Sequence, residues 1–205
     1  MDSAGARNAD MRRVLAELRR HGLLLKQDKR LASVVGLVTG EVLAASWWSH
    51  PQAKQIFELL HDLAERSDVL ETKLLGGKVT FVHEALWPAW LGIVTGGQSW
   101  QSVGLSVAAR KLLTEVARAG TLEASGPAVK ELEKRLCVRS EQRHTASGKH
   151  VLVLESWSNW AQRRGVSALG LAESQAAFGR AAESLGAPRG ALPWQAKRQA
   201  RPSRG

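Results

Sequence analysis

The 205-residue sequence predicts a mostly helical α+β fold built from two similar units. Three observations predict it. Most of the chain reads as runs whose apolar residues recur at i, i+3, i+4 and i+7, the period of a helix face. The β-rich runs come as two pairs, each joined by a short turn that contains glycine. The order of runs in the first half then returns after the glycine-rich "TGGQSWQSVG" of residues 95–104.

Taking the elements in order, Met11, Val14, Leu15 and Leu18 form a helix stripe, with Asn8 or Asp10 as its cap and Gly22 as its stop. A second short helix is expected over Leu31 to Val38. The third spans residues 51–65, with Ser49 placed to cap it and Pro51 at its first position, where no amide hydrogen is needed. Its core stripe reads Ala53, Ile56, Phe57, Leu60, Leu63 and Ala64. The period then changes. "DVLETKLL" and "KVTFVH" are strands joined by Gly76-Gly77, a pair suited to the positive φ angles of a tight hairpin. Leu70, Thr72 and Leu74 share one face, Glu71 and Lys73 the other. A helix over Ala85 to Val94 follows, with Pro88 in its first turn and Leu86, Trp87, Trp90 and Leu91 as apolar positions.

Helices followed by a hairpin describe a winged helix, a helix-turn-helix with a β-hairpin wing. The second half repeats the plan with one helix fewer. Leu105, Ala109, Leu112 and Val116 line one helix, "TLEAS" is extended, and Val129, Leu132 and Leu136 line a helix opened by Pro127. "CVRSEQRH" and "HVLVLES" form a hairpin around "TASGK". The expected organisation is therefore two winged-helix-like modules, residues 1–95 and 96–156, the second degenerate. A C-terminal helical extension covers 157–186. Residues 187–205 carry five Lys/Arg, no acid and three prolines, which predicts a disordered basic tail.

The net charge is +10, and it is uneven: residues 137–205 hold 11 Lys/Arg against 4 Asp/Glu, residues 1–136 hold 18 against 15. Such an excess favours polyanionic partners, nucleic acid ahead of an anionic membrane. The single Cys137 excludes an internal disulfide framework and, in the apolar run "RLCV", reads as a buried small hydrophobe. No secretory h-region opens the chain, and no run reaches the ~18 apolar residues of a spanning helix. A soluble cytoplasmic protein is expected.

The run "SWWSHPQAKQIFELLHDLAERSDVLETKLLGGKVTFVHEALWPAWL" resembles one found in uncharacterised bacterial proteins, over roughly a quarter of the chain, and carries no activity with it. The helix–hairpin layout resembles winged-helix DNA-binding proteins, a class that includes repressors and some DNA-repair glycosylases. That resemblance implies a nucleic-acid partner, DNA before RNA, and names no reaction.

Candidate site residues follow from side-chain chemistry. Trp47 and Trp48, adjacent in an extended segment, point to opposite sides, so one packs and the other is free to stack on a nucleobase. Trp87/Trp90 and Trp157/Trp160, three apart on helices, read as core. On helix 51–65, Gln52, Lys54 and Gln55 suit base edges and phosphates. Glu58, His61, Asp62 and Glu65 complete its outer face. The carboxylates there repel phosphate, so this helix meets DNA only at its tip or takes a protein partner. Lys73 and Lys78 on the first hairpin, and Arg139, Arg143 and Lys149 on the second, are candidates for phosphate contact. Lys197, Arg198 and Arg201 in the tail join them by counterion release. The second module, in the more basic segment, is expected to hold the nucleic acid.

For catalysis, His50, Glu58, His83 and Glu84 would meet if the wing packed back on the third helix, giving a site for glycosylase-type hydrolysis. The histidines lack the tight spacing of a zinc site, so no metal is expected. "LLGGKVT" is a hairpin turn rather than a phosphate-binding loop, so no cofactor is expected either.

Overall fold

The computed structural model describes residues 3–144 and 150–195. It is an α+β fold with two small three-stranded antiparallel sheets. The first unit runs α1 (Ser3–His21), β1 (Leu23–Leu25), α2 (Val34–Thr39), α3 (Ala53–Ala64), β2 (Val69–Lys73) and β3 (Val79–His83). Its last strand lies between the other two, in the order β1-β3-β2. After α4 (Trp87–Val94) and the short α5 (Ser99–Ser102), the second unit runs α6 (Val107–Ala119), β4 (Thr121–Glu123), α7 (Pro127–Lys134), β5 (Arg139–His144) and β6 (His150–Glu155). Its strand order, β4-β6-β5, repeats that of the first. The chain closes with α8 (Trp157–Arg164) and α9 (Leu171–Ser184).

The strand β1 was not expected. All three of its leucines are buried, so it shows no alternation by which period could reveal it. It is cut off from α1 by Gly22, which adopts φ +74°; a Cβ there would stand 2.7 Å from Leu86 Cδ1. Helix α2 starts at Val34, three residues later than expected. Ser33 caps it by accepting from the Gly36 amide, while Asp28 accepts from the amides of Arg30 and Leu31 and holds the preceding residues as a loop.

Helix α3 opens at Ala53, and Pro51 lies in the turn before it rather than in the helix. Its buried stripe is Ile56, Leu59, Leu60 and Leu63. Phe57, expected inside, is 52% exposed, and Ala64 is exposed too. At about 100° per residue, a face centred on Ile56, Leu60 and Leu63 takes in Leu59 and turns Phe57 to the rim. The hairpin turn is as expected, with Gly76 and Gly77 at φ +60° and +73°.

Two cores result. The larger joins Leu18, Leu24, Ile56, Leu63 and Phe81 of the first unit to Trp90, Trp157, Trp160 and Phe178. Trp90 packs edge-on against Trp157 at 5.3 Å and Trp87 against Trp160 at 5.1 Å. Helices α8 and α9 are therefore not an appendage of the second unit; they return to complete the first. The smaller core holds Leu105, Ala109, Val116, Val129, Leu132, Val138 and Leu154.

Leu136, expected inside that second core, belongs to the larger one. It lies beyond the end of α7 at φ +54°, fully buried, and its carbonyl accepts from Trp157 Nε1 at 2.8 Å. A left-handed leucine costs about 1–2 kcal/mol, and the hydrogen bond that fixes it ties the end of α7 to the larger core.

The basic tail also needs correction. Residues 187–195 dock on the first core: Leu192 is fully buried, and Trp194 meets Phe178 edge-on at 5.8 Å. The Gly76 amide in the hairpin donates to Ala191 O at 2.8 Å. Charge and proline content predict solvation, but here two apolar side chains suffice to anchor a segment whose last four cations lie further on. Those residues, 196–205, are outside the described part. Among the described residues, no helix is long and apolar enough to cross a membrane.

Candidate nucleic-acid interface

The segment between α2 and α3 tightens into a 3₁₀ turn over Trp47–Ser49. This turn decides what the two tryptophans do. Trp47 is buried at 5% exposure and Trp48 is 63% exposed, the expected division. The geometry differs, because the turn brings both rings to the same side and stacks them, with centroids 3.9 Å apart and planes 25° off parallel. Since most of Trp48 stays accessible, the stack covers only one of its faces. Phe57 stands beside it at 5.9 Å. The rings form an aromatic step.

Cations border the step. Lys26, just past β1, places Nζ 6.0 Å from the Trp47 ring centre. Beyond it lies an open groove of about 950 Å³, lined by Asp28, Lys29, Arg30, Ser46 and Lys78 among others. Asp28 organises this wall: Lys78 Nζ lies 2.5 Å from its second oxygen. Burial pushes the Asp28 carboxyl up, but the Lys78 ammonium and the Arg30 and Leu31 amides outweigh it and hold it below the usual carboxylate range. Lys29 and Arg30 are exposed and, among the described residues, have no ion-pair partner. Lys29, Arg30 and Lys78 thus line the groove with one carboxylate, Asp28, while Lys26 lies against the Trp47 ring within electrostatic reach of Glu71.

The tip of α3 lies beside the step. Lys54 is almost fully exposed, 3.9 Å from Glu58, and Gln52 is half-buried. Gln55 is not free, since its amide donates to Asp10 of α1. Arg7 of α1 spans Glu58 and Asp62 at 3.0 and 2.5 Å. At such exposure these pairs add little stability, and the one guanidinium offsets only part of the acidic face of Glu58, Asp62 and Glu65.

The second hairpin is different. Arg139 is largely buried, 3.1 Å from Glu155 and 3.0 Å from Glu141. Glu155 is a buried carboxylate that also receives Arg163 and Asn159. Arg143 is exposed but pairs with the same Glu141 at 3.1 Å. Both arginines are therefore engaged within the unit. Lys73 reaches across to Glu133 of α7 at 3.4 Å and bridges the two units. Lys149, Lys197, Arg198 and Arg201 lie outside the described residues.

Sequence reasoning passed over two groups of cations. One is the loop "KQDKR", 26–30, hidden by the missed strand before it. The other is Lys130 and Lys134, four apart on the outer face of α7 and exposed without ion pairs among the described residues. Their spacing was a readable signal.

The four candidate catalytic residues do not meet. His50 precedes α3, with Nε2 3.4 Å from Glu41 and Nδ1 accepting from the Gln52 amide. Glu58 is held by Arg7. His83 pairs in register with Val69, beyond the other end of α3. A helix of 12 residues, about 18 Å long, therefore separates the histidines. His83 and Glu84 border a different groove of about 610 Å³, beside Arg164. Helix α3 packs on the hairpin's first strand, but this brings neither His83 nor Glu84 to His50. Among the described residues, no three His, Cys, Asp or Glu side chains gather as metal ligands. Burial pushes the Cys137 thiol up to about 11, far from a nucleophile's range.

Comparison with protein families, with curated proteins and with solved structures finds no match for the chain.

Proposed function

We propose that the protein is a cytoplasmic duplex-DNA-binding protein built on two winged-helix units, with a regulatory, architectural or repair role, and that its first unit holds the DNA. The observation that carries this reading is the groove: Lys29, Arg30 and Lys78 stand with one paired Asp28, and Lys26, next along the chain, lies against the Trp47 ring. Cations without local partners gain most from phosphate, because they release counterions from the polyanion and break no ion pair in doing so. The repeated order of helices, strand and hairpin, with the last strand central in each sheet, supports the winged-helix assignment. In that arrangement α3 and α7 occupy the recognition-helix positions.

A labelled random-sequence duplex titrated at low salt tests the reading by fluorescence anisotropy. Saturable binding is expected, weakened about tenfold or more by the Lys29→Ala/Arg30→Ala double substitution. No binding by the wild type, or the same affinity in the double variant, would refute it.

A further inference from the structure

We infer that the Trp47–Trp48 step takes an unpaired base, so that the preferred ligand is duplex DNA carrying a bulged or overhanging nucleotide. The inference rests on the DNA-binding reading and adds the substrate class.

In a fully paired duplex both faces of each base are already stacked, and an indole must force a step apart to reach one. A bulged or overhanging base has a face to offer at little cost. Trp48 is built to receive it. Its inner face lies on Trp47, which is buried and therefore fixes the pair, so little side-chain freedom is lost when a base settles on the outer face. Phe57 stands at its side.

A nucleotide also brings its phosphate, and cations lie near the step in space or along the chain. Lys26 lies over Trp47, with Lys29 and Arg30 beyond, while Lys54 sits three residues before Phe57 on α3. Stacking needs only the π face that every base has, so the preference is for the unpaired state rather than for a sequence.

The test compares three duplexes of one sequence: fully paired, carrying a single-nucleotide bulge, and carrying the same bulge as an abasic residue. The wild type should bind the bulged duplex roughly five- to a hundredfold more tightly than the paired one, the range expected of one stacked base. The abasic bulge should lose that preference, a result that needs no altered protein. Trp48→Ala should bring the ratio of bulged to paired affinity near one; Trp48→Phe should restore part of it. Lys29→Ala/Arg30→Ala should weaken all three duplexes alike. Equal wild-type affinity for paired and bulged duplexes, or a preference that survives in the abasic bulge or in Trp48→Ala, overturns the inference and leaves the DNA-binding reading standing. Failure to bind any duplex overturns both.

Discussion

The two units share an order of elements and differ in what their charges do. In the first, Arg7 pairs with both Glu58 and Asp62 of α3, while Lys29 and Arg30 stand without ion-pair partners among the described residues. In the second, the prominent hairpin arginines are bound to Glu141 and Glu155. Counting cations along the chain favours the second; in space its hairpin arginines are engaged, while Lys29 and Arg30 of the groove, like Lys130 and Lys134 of α7, have no ion-pair partner among the described residues. The cores differ in the same direction. The first recruits α4, α8, α9 and residues 187–195, whereas the second has seven buried residues among those described, none of them aromatic.

Four substitutions test that contrast. Trp160→Ala should have the largest effect. Fully buried against Trp87, it should cost about 3–5 kcal/mol in denaturant unfolding, the loss expected of a core aromatic. A loss below ~1 kcal/mol would mean that α8 is an appendage after all.

Leu192→Ala comes next, at about 2–4 kcal/mol, because its side chain is fully buried where the tail docks. A freely solvated tail would give no change.

Replacing Arg139 and Arg143 together by Ala should cost roughly 1–3 kcal/mol. Glu155 keeps Arg163 and Asn159, so the loss stays below that of an unpaired buried charge. DNA affinity should move less than about twofold, since neither side chain is free to meet phosphate.

The smallest effect concerns pH. Asp28 has a folded pKa below its unfolded value, so its contribution is full above about pH 4 and is lost as pH falls through the folded pKa. Asp28→Asn should remove that part of the acid sensitivity, seen as a shallower decline of melting temperature below about pH 4. An unchanged decline would show that Asp28 does not organise the groove wall.

Much of the fold was legible because period reveals half-buried elements. Helices α1, α3, α6 and α7 each bury one face and leave the other wet, and the hairpins were marked by β-rich runs around a glycine-containing turn. What escaped was buried or exposed on all sides. Strand β1 has no wet face, and the segment at Leu192 and Trp194 has no period at all. Leu136 continues the stripe of α7 in sequence, but the helix ends two residues earlier and the backbone turns it to the other core. The candidate site was half legible. A Trp pair with one ring in and one out follows from sequence, but the stacking depends on a 3₁₀ turn and the free cations on which acids lie nearby.

The most direct test is the salt dependence of DNA affinity measured on two double variants side by side. Lys29→Ala/Arg30→Ala should lower the log–log slope by roughly 2 units, about 0.9 for each phosphate that is no longer neutralised. Arg139→Ala/Arg143→Ala should leave the slope at the wild-type value. The reverse pattern, with the slope reduced only in the hairpin variant, would contradict the account and return the DNA face to the second unit.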